Sequence, residues 1–164
     1  IFVTVGSQKF QFDRLVRAVD ALVASGVAED GAFAQTGACT YIPEYLEHEA
    51  FLDRDSFRVH MDACDVVVTH GGTGAIMAPL RTTRKVIAVP RLAKYGENVD
   101  DHQIEIVRQF GDMGLIEPCM DLPTCPPLMR GCFPRIICPT RATRRGSAPT
   151  FPITSMALEA YDET

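Results

Sequence analysis

The residues best suited to chemistry lie in one run, Asp65-Val66-Val67-Val68-Thr69-His70-Gly71-Gly72-Thr73-Gly74-Ala75-Ile76. An apolar strand leads into a glycine-rich turn, and the turn opens an apolar helix. Glycines let backbone N–H groups approach a phosphate closely, and the first helical turn adds unpaired N–H donors and a favourable dipole. His70 stands at the carboxyl end of the strand, where open α/β sheets place their ligands. An imidazole there suits donation to a phosphate oxygen or stabilisation of a leaving diphosphate, beyond simply bonding backbone. A second glycine turn, Gly6-Ser7-Gln8, follows an apolar run at the start of the chain. Either turn alone is a weak signal, because a glycine after a strand is often only a tight connection. Together, Gly6, Ser7 and Gln8 with Gly71, Gly72, Thr73 and Gly74 make a diphosphate cradle, to which Ser7 and Thr73 add hydroxyls. Neither turn matches GxGxxG or the P-loop lysine pattern, which counts against NAD and ATP and against a nucleotide-dependent oxidoreductase.

Three further groups bear on this cradle. Asp100-Asp101-His102-Gln103 opens a long helix. Acids at a helix N-terminus can act only as caps. The sharper reading points Asp101 and Gln103 at sugar hydroxyls, which both donate and accept. Arg91, Lys94 and Tyr95 stand on a polar loop at a strand end, where lids and binding groups are usually carried, and a cation there would offset diphosphate charge. Glu44, Glu47, Glu49, Asp53 and Asp55 read as a solvated acidic face. Six cysteines form no CxxC pair and match no zinc spacing. Cys39 and Cys64 sit in apolar surroundings as core thiols, and no metal site is expected.

The elements that must hold these groups alternate. Phe2–Val5 is an apolar β-rich run, and Ala32–Thr36 and Val66–Val68 are further strands. Phe12, Leu15, Val16, Val19, Leu22 and Val23 recur at helical spacing, with Asp13, Arg14, Arg17 and Asp20 on the opposite face. That helix stops near Ser25-Gly26. Tyr41-Ile42-Pro43 reads as extended, and Phe51-Leu52 as a short strand. Asp55 or Ser56 caps a helix running to about Cys64. Ala75–Leu80 continues the glycine turn as a helix that Pro79 should kink or shorten. Val86–Val89 is a buried strand, Val99–Phe110 a helix, and Leu115-Ile116 a last short strand. The order implies an α/β, Rossmann-like domain with a mostly parallel sheet and helices on both faces.

Composition sets the outer limits. The 164 residues carry a net charge of −5 with no block of like charge, which argues against general nucleic-acid binding. No apolar run approaches the roughly 20 residues that span a bilayer. No signal peptide is visible, so a cytoplasmic location is expected. Seven of the eleven prolines and four of the six cysteines fall after residue 118. Residues 1–118 therefore read as the ligand-binding domain, and residues 119–164 as an atypical Pro-, Cys- and Arg-containing tail, poorly ordered or loosely docked.

The stretches IFVTVGSQKFQF (1–12), FLDRD (51–55), THGGTGAI (69–76) and KVIAVPRLAKYGENVDDHQ (85–103) closely resemble the C-terminal, donor-binding domain of family 28 glycosyltransferases. Among these, the small catalytic subunit of two-component bacterial exopolysaccharide transferases is the nearest in pattern. The small subunit of the eukaryotic transferase that adds the second GlcNAc to dolichol-linked chitobiose is similar. The resemblance implies one half of a GT-B enzyme that binds a UDP-sugar. It implies inverting transfer of a hexose, often galactose, to a lipid-linked oligosaccharide acceptor. It also implies a membrane-anchored partner that supplies the acceptor half and holds the chain at the inner face of the plasma membrane. By position, Gly6, Ser7 and Gln8 match the turn near the donor diphosphate. His70, Gly71, Gly72, Thr73 and Gly74 match the turn at the phosphates and ribose, with His70 as the catalytic candidate. Asp101, His102 and Gln103 match the segment contacting the donor sugar. No metal cofactor is implied, since helix N-termini neutralise the diphosphate. Larger relatives often hold the ribose with a glutamate where this chain has Ala78, followed by Pro79. Pro79 and the atypical tail keep open a second reading, a nucleotide-binding or regulatory module without chemistry.

Overall fold

Short apolar runs make the sheet. In the computed structural model, which describes residues 1–26, 31–82 and 84–122, the strands are β1 (Phe2–Thr4), β2 (Phe33–Gln35), β3 (Glu47–Glu49), β4 (Val66–His70), β5 (Lys85–Val89) and β6 (Glu117–Pro118). Every pairing is parallel, in the order β3-β2-β1-β4-β5-β6. The central strand β4 reads Val-Val-Val-Thr, buried throughout, as a strand covered on both faces requires. The helices are α1 (Asp13–Ala24), α2 (Arg54–Ala63), α3 (Thr73–Leu80) and α4 (His102–Asp112).

Strand alternation sorts the core into two layers. Val3, Val5, Val66, Val68, Ile87 and Val89 point to one face and pack with Phe12, Leu15, Val16, Val19 and Leu22 of α1 and its approach. On the other face, Phe2 and Val67 meet Met61 and Cys64 under α2. On that same face, Val86 and Ala88 meet Ile76 of α3 and Val107 of α4. The expected Rossmann-like α/β architecture, with helices on both faces, is the one observed.

Several boundaries differ from expectation. The edge strand is Glu47–Glu49 rather than Phe51-Leu52. Its exposed Glu-His-Glu sequence carries no apolar signal, and parallel pairing with β2 makes it a strand. Asp53, not Asp55 or Ser56, caps α2, its Oδ1 accepting both the Asp55 and Ser56 N–H groups at 2.9 Å. The last helix begins at His102 rather than Val99, and the last strand lies at Glu117–Pro118 rather than Leu115-Ile116. The polar face of α1 is not simply solvated. Buried Asp20 accepts the Tyr41 hydroxyl at 2.6 Å and the N–H groups of Glu44, Tyr45 and Leu46 at 2.8–3.0 Å, so segment 41–46 folds over the helix. Burial alone would raise the Asp20 carboxyl, but these bonds, led by Tyr41, hold it below the ordinary value.

Past residue 118 the chain is still packed. The Cys119 N–H donates to the Ala88 carbonyl at 2.9 Å, and Cys119 and Leu122 are buried in the α1 layer. The tail expected from residue 119 onward lies outside the described residues from 123. Cys39 and Cys64 are free thiols, as read. Burial pushes both up, Cys39 to about 11, so neither is thiolate at neutral pH.

Candidate functional site

Register brings the strand ends together. Thr4 of β1 pairs with Thr69 of β4, so the turns that follow, at Gly6 and at Gly71-Gly72, emerge side by side at the carboxyl edge of the sheet. His70 fills the space between them. A Cβ on Gly6 would fall 2.9 Å from His70 Nε2, and one on Gly72 would fall 2.5 Å from Cε1 and 3.0 Å from Nδ1. Gly6 also has φ +78°, a conformation that L side chains rarely adopt. The imidazole is thus wedged between two backbones that only glycine lets this close.

The wedge sets the proton. The Gly72 N–H donates to His70 Nδ1 at 3.1 Å, which makes Nδ1 an acceptor. The neutral ring must then carry its hydrogen on Nε2, the atom facing the first glycine turn. Burial, reinforced by the nearby Arg91 charge, pushes the imidazole down to about 4. At neutral pH His70 is a neutral donor. It can hydrogen-bond an anionic oxygen, but it brings no positive charge.

The helix leaving the second turn keeps its open N-terminus. Gly72 is the residue before α3, and the Ile76 N–H closes the first turn on the Gly72 carbonyl at 3.0 Å. Pro79 stands in the last turn, near the C-terminus at Leu80. Its missing N–H is therefore lost far from the glycines. The helix runs through Pro79 and ends at Leu80, and the donor end is spared. Thr73 is half-buried and Gly74 exposed, while Ser7 and Gln8 are exposed on the first turn.

The remaining candidates divide. Gln103 is buried, and its Oε1 accepts the N–H groups of Gly71 at 3.0 Å and Arg91 at 3.1 Å. Its carbonyl oxygen, expected to meet sugar hydroxyls, instead ties the ends of β4 and β5 together. Asp101 is exposed, and its Oδ1 accepts the Ala93 N–H at 2.7 Å. His102 is exposed and paired with Asp100. Lys94 and Tyr95 are exposed on a short 3-10 turn, Ala93–Tyr95.

Arg91 is the clearest departure. It was expected as a loop cation facing the diphosphate, yet it is 1% exposed. Its guanidinium lies 4.8 Å from the Phe12 ring centroid and donates to the carbonyls of Val5, Phe10, Gln11 and Glu97 at 2.6–3.1 Å. The loop folds over the cation because those carbonyls need donors once buried. Sequence reasoning missed two residues that join it. Glu97 is fully buried and accepts both Nε and Nη2 of Arg14 at 2.9 Å, plus the Leu92 N–H at 2.9 Å. The partners stand 83 residues apart, so spacing carried no sign of the pair. Two concavities of about 450 and 470 Å³ lie elsewhere, on the outer surfaces of α2 and α4. Both are open troughs away from the glycine turns.

Comparison with known proteins agrees in kind. The glycosyltransferase family 28 C-terminal domain matches residues 1–124. The human protein named UDP-N-acetylglucosamine transferase subunit ALG13 is 27% identical over 176 aligned residues, which take in 99% of this chain. The same alignment covers 14% of the human protein, so the chain spans a small part of that relative's length.

Proposed function

This chain belongs to the glycosyltransferase family 28 C-terminal domain family, and on that premise we propose that it is the donor-binding, catalytic half of a UDP-sugar-dependent hexosyltransferase. The observation that carries the reading is the His70 wedge. Two glycine turns and a helix N-terminus converge on a neutral imidazole that carries its hydrogen on Nε2, the nitrogen facing the Gly6 turn. Backbone donors and a neutral imidazole stabilise a departing diphosphate by preorganised hydrogen bonds. No step needs a metal. His70 is the leaving-group stabiliser in this scheme, and the base that deprotonates the acceptor hydroxyl comes from the partner.

Ser7, Gln8 and Gly74 are exposed at this edge of the sheet, as one wall of a two-part cleft would be. A membrane-anchored, acceptor-binding partner supplies the other wall and holds the chain at the inner membrane face. Among the described residues no helix is long and apolar enough to cross a membrane. The acceptor is a lipid-linked oligosaccharide. For the donor, the galactose implied by the exopolysaccharide pattern competes with GlcNAc, which the name of the human relative favours. The reading as a nucleotide-binding or regulatory module without chemistry rested on Pro79 and the atypical tail; the intact first turn of α3 weakens the first support, and the tail from residue 123 lies outside the described residues.

Calorimetric titration with UDP, followed by transfer assays with the partner and a panel of UDP-sugars, tests the proposal. Binding to the folded state alone must raise stability, by about 2.7 kcal/mol at a hundredfold excess over Kd. A well-folded sample whose melting point ignores millimolar UDP removes the donor-binding reading. His70→Ala is expected to abolish transfer without unfolding the domain, and unchanged turnover removes the role given to His70.

A further inference from the structure

Resting on that donor-site reading, we propose that Arg91 is a positioning residue: with Glu97 and Arg14 it forms a buried brace that sets the two loops flanking His70, and it does not contact the donor's diphosphate. The geometry leaves it no other task. One guanidinium gathers carbonyls from the end of β1 (Val5), the loop after the first glycine turn (Phe10 and Gln11) and the loop after β5 (Glu97). The Arg91 backbone N–H reaches Gln103 Oε1, which also holds Gly71 of the second turn. The Glu97 carboxylate then locks the β5 loop to α1 through the two-pronged Arg14 contact, and Arg14 Nη2 also donates to the Pro90 carbonyl at 2.9 Å. On the outer side, Gln11 Nε2 donates to the Tyr95 carbonyl at 2.8 Å, closing the same two loops a second time. The first glycine turn and the β5 loop are therefore fixed by the Arg91 side chain, and the second turn by the Arg91 backbone through Gln103. Arginine suits this role because its planar fork donates from two separate nitrogens in a fixed geometry, where a lysine ammonium offers all its donors from one point.

The sign of an electrostatic effect separates this brace from a plain anion site. Glu97→Gln removes a negative charge from beneath the turns. If the local charge governed diphosphate binding, this variant would bind UDP more tightly. If the brace governs it, the lost Arg14 contact loosens the loops and binding weakens. Arg14→Lys keeps the charge and removes the fork, and it lies on a side chain that is 18% exposed. That variant carries the test if Glu97→Gln fails to fold. UDP affinity is measured by calorimetry, with hydrogen exchange followed at residues 6–11 and 92–98. The expected result is at least a tenfold loss of UDP affinity in each variant. The double variant should lose no more than the worse single, since both act through one brace. Exchange should accelerate in both loops while amides of β4 stay protected. Tighter or unchanged UDP binding in Glu97→Gln, or in Arg14→Lys where that variant stands in, overturns the proposal. Full additivity, or exchange confined to the loop carrying the substitution, overturns it as well. If the unaltered chain binds no UDP, the donor-site reading fails, and coupled exchange of the two loops still decides the brace.

Discussion

Replacing Gly72 with alanine puts a methyl group where the His70 ring stands. The added Cβ would lie 2.5 Å from Cε1 and 3.0 Å from Nδ1, against about 3.5–4.0 Å for comfortable carbon contact. The ring must move by about an ångström, and the Gly72 N–H bond to Nδ1 is then lost. Overpacking of this kind costs about 1–3 kcal/mol, and the lost hydrogen bond about 1 kcal/mol. Alanine also caps a helix less well than glycine, by about 0.5 kcal/mol. Against these, alanine restricts the unfolded chain and returns about 0.4–1 kcal/mol. The backbone itself is not at fault, because φ −77° and ψ 135° suit alanine. The net expectation is a destabilisation of about 2–3 kcal/mol.

Nearly all of that cost depends on the imidazole. In a His70→Ala background the clash and the hydrogen bond are both absent. The capping loss and the unfolded-state gain then roughly cancel, so Gly72→Ala should be neutral within about 0.5 kcal/mol. Urea unfolding of the two single variants, the double variant and the parent gives the coupling directly. It should come to about 2 kcal/mol, well inside the range for residues in contact. An equal cost of Gly72→Ala in both backgrounds would falsify the wedge, and with it the argument that His70 needs glycine on both sides.

Acid should act on the same residue. His70 titrates at about 4 in the fold against 6.5 unfolded, so between those values the unfolded chain binds the extra proton. The stabilisation is complete above pH 6.5 and is lost as pH falls towards 4, by up to about 3 kcal/mol. Melting curves of the parent and His70→Gln across that window should diverge from each other, and parallel curves refute the buried neutral ring. Gly74→Ala separates folding from binding. Its Cβ meets nothing within 4 Å, and it lies in α3, so it should stabilise the domain by about 1 kcal/mol. The same methyl crowds an approaching phosphate and should weaken UDP binding tenfold or more. A variant that is more stable and binds UDP as before places the diphosphate elsewhere.

How much of this could be read beforehand depended on the range of each interaction. The turn at His70–Gly74 was legible because strand, glycines and helix start are contiguous, and their chemistry is a property of the local backbone. The Rossmann-like order was legible because buried parallel strands leave continuous apolar runs such as Val66–Val68. Strand β3 was not, since Glu47-His48-Glu49 is exposed and is a strand only through its partner. Arg91 was found as a cation at a strand end but given the wrong surroundings. Four of its acceptors come from loops, and three of those lie 80–86 residues away. The cover over Asp20 was hidden for the same reason, because periodicity marks the polar face of a helix without showing what segment covers it.

The fate of Arg91 bears on how the anion is met. A surface arginine in the crevice would meet the developing diphosphate charge directly, at the cost of holding a mobile, solvated side chain in place. Withdrawn beneath the turns, the guanidinium instead orders N–H groups and the His70 donor, each aimed in one direction. Donors fixed before the reaction need no reorganisation as charge develops on the leaving oxygen. Burial also keeps Arg91 close enough to His70 to oppose its protonation. The imidazole then stays neutral, with Nδ1 accepting from Gly72 and its hydrogen on Nε2. On this argument the chemistry at His70 should be more sensitive to the geometry of residues 91–97 than to the charge they carry.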